Sequence, residues 1–62
     1  MLINRKGRIA IIHLARKDRG LDEVAYRALL HGAAGIESAA EIESEAQFEA
    51  VMQAFIHLGF RR

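Results

Sequence analysis

The chain reads as an all-α domain, and three features of the sequence say so. Apolar residues recur at helical spacing in successive runs, capping residues and glycines punctuate those runs, and none of the 62 residues is proline. No internal repeat or low-complexity tract interrupts the pattern. The predicted architecture is one domain over residues 1–62, a small bundle of three helices plus one short helical turn, without strands.

Taken in order, Met1 to Asn4 form a lead-in, with Leu2 and Ile3 placed to touch the bundle and Asn4 available as a cap. The first helix is expected over 8–19, because Gly7 obscures an earlier start. Projected at about 100° per residue, Ile11, Ile12 and Ala15 centre an apolar arc flanked by Ile9 and Leu14. Arg16, Lys17 and Arg19 crowd its last turn, where cations meet the negative end of the helix dipole. Gly20 then offers the left-handed residue of a Schellman ending and Leu21 its returning apolar contact. Asp22 is the next N-cap, with Glu23 adding charge of the favourable sign. This short corner makes Ile9 to Leu30 the expected organising unit, with two helices packed together or crossing steeply.

The second helix is expected over 23–31, on Tyr26, Leu29 and Leu30, with Gly32 ending it and the Tyr26 hydroxyl at the surface. Ala33-Ala34-Gly35 reads as a loose connection. Two capping-box signatures follow, Ser38 with Glu41 and Ser44 with Gln47. The first predicts a short helix over 39–43 with Ile42 pointing inward. The second predicts a helix over 45–58, carried by Phe48, Val51, Met52 and Phe55 and stopped by Gly59. Both serines are thereby explained as caps, and neither is needed as a nucleophile.

Composition narrows the function classes. With no cysteine there is no disulfide or thiolate site, and His13, His31 and His57 are too scattered for a metal pair one helical turn apart. Neither a metal nor a cofactor is expected, nor an enzyme or a small-molecule substrate, since no pair of titrating groups is held together as acid-base work requires. The apolar runs are far shorter than the ~20 residues that span a bilayer, and the N-terminus lacks signal-peptide form. A soluble cytoplasmic protein without a membrane partner is therefore expected.

The net charge of +1 conceals an asymmetry. Arg5, Lys6, Arg8, Arg16, Lys17 and Arg19 face only Asp18 in the first third, whereas Glu37, Glu41, Glu43, Glu45 and Glu49 have no basic neighbour between them. Either the two ends attract each other within the fold, or the basic end meets nucleic acid or an acidic partner. Lys6, His13 and Lys17 project opposite the apolar arc of the first helix, with Arg16 at the edge; Arg27 is the main cation of the second helix. These five are the candidate contact residues for nucleic acid or a protein partner.

Read together, Ile12, His13, Ala15, Arg16 and Lys17, then Gly20-Leu21-Asp22, then Tyr26, Arg27, Leu29 and Leu30, with the later Leu58-Gly59-Phe60, resemble the N-terminal region of the GemA family of Mu-like phages and prophages. The resemblance covers nearly the whole chain. Arg19 departs from it where the family pattern is aliphatic, which turns that side chain outward or weakens a core contact. Gln47-Phe48 departs too, in place of an acidic residue followed by leucine. Family members usually continue past the Gly-Phe signature, so the chain looks like a short form or an N-terminal module. The resemblance implies a regulatory protein acting in the bacterial host on gene expression or DNA topology, with no catalytic residues to transfer.

Two expectations result. One is a module whose basic face contacts duplex DNA, with tolerance of sequence, or a DNA-bound host protein. Base reading by the second helix is not expected, because it opens with Asp22-Glu23 and offers mainly Arg27 and His31. The alternative is an interaction module, a homodimer covering Ile9, Leu14, Ile56 and Phe60 at the margins of the apolar stripes.

Overall fold

A computed structural model describes residues 5–61, and every regular element among them is helical. Three α-helices, α1 (Arg5–Arg19), α2 (Glu23–Ala34) and α3 (Glu45–His57), are joined by a tight corner and by a link holding a 3₁₀ turn, Ala39–Glu41. The lead-in expected at residues 1–4 lies outside the described residues.

The organising element is α3, not the α1–α2 unit. α2 packs on α3, while α1 packs on α3 and on the 3₁₀ turn. Phe48, Val51, Met52 and Phe55 repeat at helical spacing on α3 and are all but fully buried, meeting Ile12 and Ala15 of α1 and Tyr26 and Leu30 of α2. Each large apolar side chain so enclosed contributes about 2 kcal/mol of transfer free energy. Ile36, Ala39, Ile42 and Phe60 close the core from the link and the C-terminal end.

The chain corners follow from glycine chemistry. Gly20 has φ +66°, and the amides of Gly20 and Leu21 donate to the Lys17 and Arg16 carbonyls, closing α1 in the expected Schellman pattern. Asp22 then caps α2 by accepting from the Ala25 amide at 2.8 Å. Gly59 repeats the device after α3: its own amide reaches the Ile56 carbonyl and the Phe60 amide that of Phe55. Phe60 folds back edge-on to Phe55, ring centroids 6.3 Å apart.

Several boundaries differ from expectation. α1 begins at Arg5, so Gly7 lies inside it. Gly32 does not end α2; Ala33 and Ala34, good helix formers, carry the helix on to a left-handed Gly35 at φ +67°. Stopping there places Ile36 in the core, which a stop at Gly32 would not do. The Ser38 box does not form: Ser38 makes no side-chain cap, and the Glu41 carboxylate accepts instead from the Glu37 amide at 3.2 Å. The segment is accordingly a single 3₁₀ turn, with Ile42 buried as expected. Ser44 does cap α3, accepting from the Gln47 amide at 3.2 Å, while Gln47 reaches back to the Glu43 amide at 2.7 Å.

Phe60 and Tyr26 depart from their expected places, while Leu14 lies at the apolar margin where it is expected. Phe60 is buried in its own core, so it is no margin for a dimer. Leu14 is 59% exposed, because α3 and the 3₁₀ turn cover only one side of α1. Tyr26 buries its hydroxyl along with its ring, and that hydroxyl has no hydrogen-bond partner among the described residues.

Candidate nucleic-acid interface

Because Ile12 and Ala15 are fully buried, helix geometry turns the opposite side of α1 to water. Lys6, Ala10, His13, Leu14 and Lys17 are all exposed there. Lys6 and Lys17 take part in no ion pair among the described residues. His13 is exposed too, but its ring stands edge-on to Tyr26 with centroids 6.5 Å apart. The α1 side therefore offers two ammonium groups with no ion-pair partner among the described residues and an imidazole between them along the helix.

Arg16 and Arg27 form a separate group. The Arg16 guanidinium lies over the Tyr26 ring, 4.5 Å from its centroid, and its Nε donates to the Leu21 carbonyl at 3.3 Å. Its Nη2 pairs with Glu23 Oε2 at 3.2 Å, while Arg27 Nε takes the other oxygen of the same carboxylate at 3.0 Å. One acidic side chain thus joins a cation from each helix across the corner. Burial raises the Tyr26 pKa; the nearby Arg16 charge lowers it and Glu23 raises it further. From the sequence Glu23 reads as favourable charge at a helix start and not as part of a contact site. Its spacing of four from Arg27 signals that pair, but the Arg16 contact depends on how the corner folds.

The remaining cations show how the charge asymmetry is used. Arg8 pairs with Glu45 at the start of α3 and lies over Phe48, 5.6 Å from the ring centroid, so the basic and acidic ends do attract each other within the fold. Arg19 pairs with Asp18 at 2.9 Å and donates through Nη1 to the Leu58 carbonyl at 3.1 Å, with its side chain turned outward. Among the described residues, Lys6, Lys17 and Arg61 are the cations without an ion pair.

On another side, an open apolar groove of about 580 Å³ runs between α2 and α3, lined by Leu21, Ala25, Ala28, Leu29, Ala54 and Leu58 among others. No helix among the described residues is long and apolar enough to cross a membrane, and none of their His, Asp and Glu side chains form a group of three or more suited to a metal ion. Comparison with known proteins finds no matching family model, no matching curated protein and no matching solved structure.

Proposed function

We propose that this chain is a helical module of a phage regulatory protein of the GemA type, acting inside the bacterial host without catalysis, and that it contacts duplex DNA through the exposed basic side of α1. The observation that carries this reading is the pair of lysines, Lys6 and Lys17, without an ion pair among the described residues, beside His13 on the side opposite Ile12 and Ala15. Ammonium groups so placed meet phosphates without any rearrangement of the core, and they read no bases. The resemblance that names the family rests largely on residues with structural duties: Gly20, Leu21, Asp22, Gly59 and Phe60 end or begin helices, and Ile12, Ala15, Tyr26 and Leu30 fill the core. It supports a shared fold more directly than a shared contact surface.

A salt titration tests the reading. Two phosphate contacts give a log-log slope of about −1.8, so affinity for a duplex falls about 12-fold between 50 and 200 mM salt. The double substitution Lys6→Glu with Lys17→Glu abolishes binding and leaves the fold intact, since such exposed changes cost within about 0.5 kcal/mol each. Arg16 is left out of that variant because it stacks on Tyr26 and joins the α1–α2 corner. No binding to duplex at 20 mM salt, or binding unaffected by the double change, refutes the reading.

A second reading, association of two copies, is favoured by the α2–α3 groove together with exposed Leu14, Val24 and Leu58. It predicts a mass in solution twice that of the chain and a melting temperature that rises with concentration. A monomer at high concentration excludes it.

A further inference from the structure

We propose that Glu23 is a built-in competitor for an external phosphate at a second basic point, the notch formed by Arg16 and Arg27. This rests on the reading of the basic side as a phosphate contact, and it adds a regulated element to it. The two guanidiniums come from different helices and converge on the two oxygens of one carboxylate, at 3.2 and 3.0 Å. Convergence of two such groups on a two-oxygen anion is the arrangement by which arginines bind carboxylate and phosphate.

Arg16 is fixed independently of Glu23. Its Nε is held by the Leu21 carbonyl and its plane by the Tyr26 ring, so it stays in place when the carboxylate leaves. Arg27 and Glu23 have side chains 64% and 58% exposed, and ion pairs so exposed are worth little. Of the other carboxylates around this corner in the sequence, Asp22 accepts from the Ala25 amide and Asp18 pairs with Arg19. Arg16, Arg27 and Glu23 together carry a net charge of +1, and the notch gains a second positive charge once Glu23 is neutralised. While charged, Glu23 occupies both guanidiniums and keeps the notch closed to phosphate; once it is neutralised, a phosphate oxygen pair takes its place at little cost to the fold.

The test compares wild type with Glu23→Gln in salt titrations against a duplex, with far-UV circular dichroism and thermal melts as fold controls. Two contacts, at Lys6 and Lys17, give the wild type a slope of about −1.8; freeing Arg16 and Arg27 gives the variant about −3.6, a loss of about 150-fold between 50 and 200 mM salt against about 12-fold. Adding Arg27→Ala to Glu23→Gln returns the slope to about −2.7. Titration with inorganic phosphate, followed by the Nε–Hε resonances of Arg16 and Arg27, separates the sources. Shifts in Glu23→Gln at millimolar phosphate support a site for phosphate as such, whereas shifts with duplex alone support a site for the DNA backbone. If wild type binds with a slope near −1.8 and Glu23→Gln is identical, the notch is a structural ion-pair cluster and the inference fails while the α1 reading stands. If neither protein binds duplex and Glu23→Gln ignores phosphate, both are overturned.

Discussion

Replacing Tyr26 with Phe removes one oxygen and tests how the α1–α2 corner is assembled. Tyr26 is 5% exposed, and its hydroxyl lacks a hydrogen-bond partner among the described residues. Leaving a hydroxyl buried and unpaired costs about 1–3 kcal/mol relative to water. Phenylalanine retains the ring that Arg16 covers at 4.5 Å and that His13 meets edge-on. The variant is therefore expected to be more stable than wild type by about 1 kcal/mol, which for a domain of this size raises Tm by roughly 4–8 °C. A second signature comes from pH. Burial raises the folded-state pKa of Tyr26 above 10.0, and Arg16 only partly opposes it. Above pH 10 the unfolded chain releases a proton that the folded chain retains, so wild-type stability falls as pH rises. Below that pH both states are protonated and the contribution is constant. The stability gap between Tyr26→Phe and wild type should thus widen from pH 9 to pH 11 in urea melts. A variant less stable than wild type by 1 kcal/mol, with a gap that does not change with pH, would mean that the hydroxyl is paired in solution and the reasoning is wrong.

The other predictions concern single contacts. Ser44→Ala removes the acceptor for the Gln47 amide and should cost about 1 kcal/mol in denaturant melts, while Ser38→Ala, which removes no cap, should be neutral. Equal effects would show that the two serines play the same part. Phe60→Ser should destabilise the domain by about 3 kcal/mol or more at every protein concentration, because the ring packs on Phe55; an effect confined to concentrated samples would return Phe60 to a dimer interface.

What the sequence made legible was local. The Gly20-Leu21-Asp22 corner, the Ser44 cap and the Gly59-Phe60 ending each depend on hydrogen bonds spanning about five residues or fewer, so residue types at fixed offsets suffice to place them. Gly32 and Gly35 both offer a helix stop, and Ala33 and Ala34 as helix formers tip the choice only together with the burial of Ile36, a tertiary effect. Periodicity gave the direction of the apolar side of α1 and puts Leu14 at its margin; how far Leu14 is exposed depends on what α3 and the 3₁₀ turn cover, which periodicity does not encode. The candidate site divides the same way. Helical projection grouped Lys6, His13 and Lys17 and put Arg16 at their edge, whereas the common carboxylate joining Arg16 to Arg27 depends on the angle at which two helices leave Gly20, which no spacing encodes.

The most direct test of the proposed contact surface is an amide chemical-shift map of the labelled protein titrated with a short duplex at low salt. The account predicts shifts confined to α1 around Lys6, His13 and Lys17, fading together as salt rises, with the α2–α3 groove at Ala25, Ala28 and Ala54 unmoved. Shifts centred on the groove, or none at all, would contradict it.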